Sequence, residues 1–278
     1  MVKFRCYRLA KDGTPRIGDK DIENYAERIL KEYKPLALKE PTKIKPVHFL
    51  ENYLNVTIEY AYIYDPNGVG RIAGEAIFND DEEVEIFDVE KLKRVIRKYA
   101  ANTVLIDNTI MKEGKEGFAD FTHLHEGGHI FLHASVFKRT QGTLFNINTD
   151  NRPRAARCLR TCIESDSRRK LVTQEDFREH QANTFAAAIA MPPTIFIPTA
   201  KKIIFDCGYS DGVCVVPGPD DVIDWYDAID GRDHEVIDQL MELFTGSRSA
   251  IRVQLKKHNL MVTEEEYEKR GLQKKLFF

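Results

Sequence analysis

The sequence predicts an α+β fold, in which a small sheet packs beside a motif-bearing helix and a mainly helical C-terminal half follows. Three observations carry this expectation. Runs of β-branched and aromatic residues separated by turn chemistry cluster between residues 56 and 107. An amphipathic helical pattern precedes them, and helical patterns dominate after residue 118. With 278 residues, 42% hydrophobic and 31% charged, the chain can bury a sizeable core and has an ordinary globular composition. The formal charge of −3 argues against a nucleic-acid binder, because phosphate contacts need a strongly basic face. The N-terminus has no apolar run long enough for a signal-peptide core and no later stretch approaches the length of a membrane span, so a cytoplasmic protein without membrane attachment is expected. The five cysteines (Cys6, Cys158, Cys162, Cys207, Cys214) are too scattered for a disulfide framework, and reduced thiols are expected.

After an N-terminal extension, residues 1–20, apolar positions Ile22, Tyr25, Ile29 and Tyr33 recur at helical spacing, and Pro35 supplies a stop. Pro46 suits the first turn of a second helix running through Phe49, Leu50 and Tyr53. Strands are expected over 56–64, 71–78, 84–87 and 103–107, with a turn at Asp65-Pro66-Asn67-Gly68. A helix through Leu92, Val95 and Ile96 is expected between the last two strands, and residues 111–117 read as a loop.

The chemistry lies in the next segment, FTHLHEGGHIFLH over residues 121–133. His125 and His129 stand at i and i+4, so on a helix both imidazoles can reach one zinc ion. Glu126 follows the first of them, where its carboxylate can take a proton from water that the metal polarises. Gly127 and Gly128 each weaken a helix interior by about 0.5–1 kcal/mol relative to Ala, which suggests close approach of another backbone or of a substrate.

The longer metzincin pattern is excluded, since Leu132 and Ser135 stand where it needs Gly and His. The alternative is a carboxylate from a downstream helix, leaving the fourth metal position to water. A helix should start at Thr173, capped with Asp176, and end at Met191 before Pro192-Pro193. Glu179 stands at the edge of its apolar stripe, where a carboxylate is either drawn to solvent or bound to something.

HEGGH followed by Glu179-His180-Gln181-Ala182-Asn183-Thr184-Phe185-Ala186 resembles the ImmA/IrrE family of bacterial metallopeptidases over both of its motifs. The Ile106-Asp107-Asn108 stretch and the segment from Phe244 through Ala250 to Leu260 are similar to family organisation, so the resemblance covers most of residues 20–261. It implies a zincin-like domain over 21–261. Its parts would be a sheet-bearing section to about 110, the HEGGH helix at about 118–134, a third-ligand helix at about 174–191 and a helical section from 192, with residues 262–278 as a tail. It further implies one Zn²⁺ per chain held by His125, His129 and Glu179, with Glu126 as general base. The implied activity is cleavage, in trans, of a helix-turn-helix repressor of a mobile-element or stress-response operon. Rival readings are a zinc-containing protein that sequesters its partner without cutting it, and a cytosolic peptidase of broader specificity. The chain departs from the family at Asp120, where an Arg is usual, at Leu124, where a small residue is usual, and at Asn259, where a helix-ending Gly is usual. Asn tolerates the left-handed conformation, so the last change is mild.

Other residues invite competing readings. His133 is i+4 from His129, but no carboxylate would lie between that pair as a base, so a supporting role for His133 and His123 is expected. His180 points about 100° away from Glu179 around the helix and is read as a surface residue. Cys158 and Cys162 could be imagined with Cys207 and Cys214 as a structural zinc site or as redox thiols, but the spacing does not fit a finger. The basic run over 151–170 is most simply a solvated loop, placed where it could gate substrate. Residues 247–258 resemble a short capped helix with basic polar positions, and lack a helix-turn-helix partner, so no direct nucleic-acid binding is expected.

Overall fold

The computed structural model describes residues 1–68, 71–138, 155–159, 171–216 and 231–270. The opening helix α1 (Asp19–Tyr33) and the Pro-initiated α2 (Pro46–Asn52) form as their apolar spacing predicts, burying Ile22, Ile29, Leu30, Phe49 and Leu50. Strands β1 (Thr57–Ala61), β2 (Ile72–Ile77), β3 (Glu82–Asp88), β4 (Lys93–Tyr99) and β5 (Thr103–Asp107) follow. Next come α3 (Glu116–Leu132), α4 (Ala134–Phe137), β6 (Ala155–Leu159), α5 (Gln174–Ala190) and α6 (Pro193–Asp206). The C-terminal part holds β7 (Cys214–Val216), α7 (Arg232–Leu243), α8 (Arg248–Lys257), β8 (Met261–Thr263) and α9 (Glu264–Lys269). The result is an α+β fold with a mainly helical C-terminal half. No helix among the described residues is long and apolar enough to cross a membrane.

The main sheet is mixed, in the order β1-β5-β2-β6. β1 runs parallel to β5, while β2 is antiparallel to both β5 and β6, with Gly74 opposite Ile106 on one side and Cys158 on the other. Helix α3 lies between this sheet and α5, and its residues from Phe121 to His129 are all buried. That position explains its glycines. A Cβ on Gly128 would stand 3.1 Å from the Cα and the carbonyl oxygen of Ala182 on α5, and one on Gly127 would stand 2.5 Å from Leu50 on α2. The close approach is therefore to neighbouring helices. Gly117, inside the first turn of α3, similarly faces the Gly246 carbonyl at 2.5 Å.

Two expected elements are different in the structure. In place of a helix through Leu92, Val95 and Ile96, residues 82–99 form the β3–β4 hairpin, in which Val84 and Ile86 alternate inward and pair with Arg97 and Val95. Asp88 caps the turn by accepting the Glu90 and Lys91 amides, and Leu92 takes a left-handed φ of 49°. Leu92 and Ile96 lie in solvent in the hairpin, and the period-two pattern of β3, which buries Val84 and Ile86, prevails. The second correction concerns the basic run. Its described part is not a solvated loop but strand β6, with Ala156 and Cys158 buried and Arg157 bound to Glu75. The rest of that run, Cys162 included, lies outside the described residues.

Both ends of the chain add to the core. Val2 and Thr14 are buried, and Arg178 on α5 binds Asp12 and Thr14 of the N-terminal segment at 2.7 and 2.9 Å. At the other end, Asn259 adopts a φ of 57° and lets Leu260 return its amide to Leu255, ending α8. The first part of the expected tail then runs as β8 parallel to β7 and continues into α9.

The Gly128–Ala182 approach sets the spacing of α3 and α5. α5 cannot retreat easily, since Arg178, His180 and Gln181 tie it to the N-terminal segment and α1. In Gly128→Ala, overpacking of about 1–3 kcal/mol should outweigh a helix-propensity gain of about 1 kcal/mol. Urea denaturation should show a net loss of about 1 kcal/mol, and a variant more stable than the native chain would refute this packing account.

Candidate metal centre

One turn of α3 separates His125 from His129, so both imidazoles leave the helix on the same side, with their Nε2 atoms 3.0 Å apart. Glu179 faces them from α5, a helix whose start is fixed by the reciprocal Thr173–Asp176 capping box that the sequence predicts. Its Oε1 lies 3.2 Å from His129 Nε2 and its Oε2 lies 3.3 Å from His125 Nε2. A tetrahedral ion with bonds of about 2.0–2.2 Å holds its ligand atoms about 3.3–3.6 Å apart, so the three groups outline one face of such a tetrahedron. His125, His129 and Glu179, singled out by motif, are thus brought together.

Their hydrogen bonds set the tautomers. Gln181 donates its amide to the Pro15 carbonyl at 2.7 Å, which turns its Oε1 towards His133 Nε2 at 3.0 Å. His133 must then donate from Nε2, and its Nδ1 is left to accept from His129 Nδ1 at 3.0 Å. His129 consequently presents the Nε2 lone pair to Glu179 and His125. On the other imidazole, Nδ1 donates to Asn183 Oδ1 at 2.8 Å, which directs a second Nε2 lone pair to the same point. Two lone pairs and a carboxylate converge there.

The electrostatics agree with a cation at this point. Burial holds the His129 and His133 imidazoles below their ordinary range. Burial pushes Glu179 up, but the imidazoles of His129 and His125 outweigh it and hold the carboxyl well below the usual range. Glu179 Oε2 and both Glu126 oxygens have no hydrogen-bond partner among the described residues. A buried carboxylate beside two converging imidazole lone pairs is a costly arrangement without a positive charge, and the N,N,O donor set suits a metal ion such as zinc. The residues therefore fit a zinc ion.

Glu126 points from α3 to β2. A Cβ on Gly74 would come within 2.8 Å of Glu126 Oε1 and 2.9 Å of its Cγ, so only glycine at that strand position leaves the carboxylate its place. Burial raises Glu126 well above the ordinary carboxyl range, with Glu179 and the buried Glu75 adding to the shift. His123 is occupied elsewhere: its Nδ1 meets the Ala119 carbonyl at 2.7 Å and its Nε2 meets the Tyr60 hydroxyl at 3.3 Å. His180 is not a bare surface residue but binds Asp19 of α1 at 2.8 Å.

One neighbour was not expected at the site. Cys158, fully buried on β6, brings its Sγ within 4.8 Å of the ligand atoms of both His125 and Glu179, and these three form a buried group that could hold a metal ion. The only sequence signal for it was the inward alternation of Ala156 and Cys158 about Arg157. Cys207 and Cys214 are buried in the main core, where Cys214 sits on β7. No family model, curated protein or solved structure matches the chain.

The Gln181–His133–His129 chain gives a direct test. His133→Phe keeps the ring volume but removes the acceptor for His129 Nδ1, so zinc affinity should fall by about 10–100-fold while the fold persists. Competition with a chromophoric chelator measures this. Unchanged affinity would mean that His133 does not orient its neighbour.

Proposed function

We propose that the chain is a zinc-dependent endopeptidase with a zincin-like domain, related to the ImmA/IrrE type, that cleaves a helix-turn-helix repressor in trans. The observation that carries this reading is the convergence of His125, His129 and Glu179 at tetrahedral spacing, with the unpartnered Glu126 carboxylate on the same helix. The mixed sheet beside α3 supports the domain type, and the match of both motifs supports the substrate class.

When bound, zinc would supply Lewis-acid polarisation of water and of the scissile carbonyl. Each protein group then has a defined task. His125, His129 and Glu179 hold the ion, while Asn183 and His133 hold the two imidazoles in the ligating tautomer. Glu126 accepts a proton from the attacking water and returns it to the leaving amine. Burial and the neighbouring carboxylates raise its affinity for protons, the direction that favours taking one from water. Gly74 keeps the space that this carboxylate needs.

A second reading, a zinc protein that sequesters its partner, draws support from the burial of His125, Glu126 and His129. The unpartnered Glu126 weighs against it, because a binder gains nothing from a buried carboxylate of that kind. Glu126→Gln separates the two, since it preserves shape and ligation but removes the proton acceptor. Repressor cleavage should fall by at least about 100-fold with zinc content unchanged. A Gln variant that still relieved repression as well as the native chain would favour sequestration. Cleavage of unrelated peptides as readily as of the repressor would favour a broad-specificity peptidase.

A further inference from the structure

We infer that Cys158 is a fourth ligand that closes this centre, so that the resting chain is a latent peptidase. The inference rests on the metal-centre reading above and goes beyond it. His125, His129 and Glu179 occupy one face of a tetrahedron, which leaves one coordination position to be filled. The Cys158 sulfur lies within 4.8 Å of the ligand atoms of two of these three residues, His125 and Glu179, and Cys158, like His125, is fully buried. Thiolate is among the strongest zinc ligands, and a site with four protein ligands is closed, whereas three ligands leave room for water. On ligation the S–H bond is replaced by a sulfur–metal bond and the proton leaves to solvent.

The position of Cys158 in the sheet makes the closure specific. It stands directly opposite Gly74, the strand residue against which Glu126 lies. β6 is held there by its ladder with β2 and by the Arg157–Glu75 pair at 3.0 Å, in which Glu75 is buried. It also takes the free hydrogen-bonding edge of β2, the edge on which an extended peptide could add as a strand. One strand thus covers both the fourth metal position and the adjacent sheet edge. The complete burial of Glu126 and both histidines, difficult to reconcile with a site open to substrate, is what a closed centre requires. Opening the centre requires withdrawing β6 and its thiolate.

Cobalt(II) substitution of the full-length protein tests this without depending on turnover. Native protein should bind one cobalt, with tetrahedral d–d bands and a near-ultraviolet thiolate-to-cobalt charge-transfer band. Cys158→Ser should keep the metal and lose the charge-transfer band, while Cys6→Ser, Cys162→Ser, Cys207→Ser and Cys214→Ser should keep it. Acetohydroxamate then probes the fourth position. Because affinity scales with the fraction of open sites, it should perturb the d–d bands of Cys158→Ser at a concentration at least about 10-fold lower than for native protein. Cobalt bound without a thiolate band, or a band that survives in Cys158→Ser, would overturn the ligation. Equal response to hydroxamate would overturn the latency. Failure of the native protein to bind cobalt at all would instead overturn the metal centre itself. Should the buried Cys158→Ser not fold, loss of the native band in none of the other four cysteine variants assigns it to Cys158, and its loss in any one of them overturns the assignment.

Discussion

Two imidazole lone pairs and a carboxylate aimed at one buried point are the constraint around which this molecule is arranged. The point is buried, so every group near it must have its proton position fixed by a partner. The Pro15 carbonyl can only accept, which orients Gln181, then His133, then His129. A residue of the N-terminal segment thereby decides which nitrogen of a histidine on α3 is bare. Asn183 does the same for His125 from one turn beyond Glu179, so α5 contributes both a ligand and the group that orients another.

Small residues make these distances possible. Gly128 lets α3 meet the backbone of α5 at Ala182, and Gly127 admits Leu50. Gly74 admits the Glu126 carboxylate against β2. Each of these contacts would be closed by a single methyl group. The helix-weakening cost of two adjacent glycines is offset by the packing they permit. The N-terminal segment and α1 brace α5 from the far side through Arg178 to Asp12 and His180 to Asp19. That bracing prevents α5 from yielding at Ala182.

Much of this was legible where the signal is local. The spacing of Ile22, Ile29 and Tyr33, the Pro46 start, the Thr173–Asp176 capping box and the left-handed Asn259 depend on neighbours in sequence, and all appear in the structure. The HEGGH spacing placed two histidines on one helix face for the same reason. What escaped depends on pairing across the chain. Residues 92–96 satisfy a helical spacing, and only pairing with the partner strand β3 overrides it. β6 reads as part of a basic run because the arginines on either side of it join Arg157 to dominate the composition, while Ala156 and Cys158 turn inward only once β2 is beside them. The proximity of Cys158 to Glu179 belongs to tertiary structure alone. The role of His133 was half legible: its i+4 relation to His129 was visible, but Gln181, which fixes its tautomer, comes from a different helix.

The central claim is that His125, His129 and Glu179 form one preorganised zinc site. Metal analysis of the purified protein and of His129→Ala, both shown to be folded by circular dichroism, tests it most directly. The account predicts close to one zinc per native chain and none retained by the variant after dialysis against a weak chelator, since losing one of three ligands destroys a site of this kind. Equal zinc in both proteins, or none in either after refolding with zinc, would contradict it.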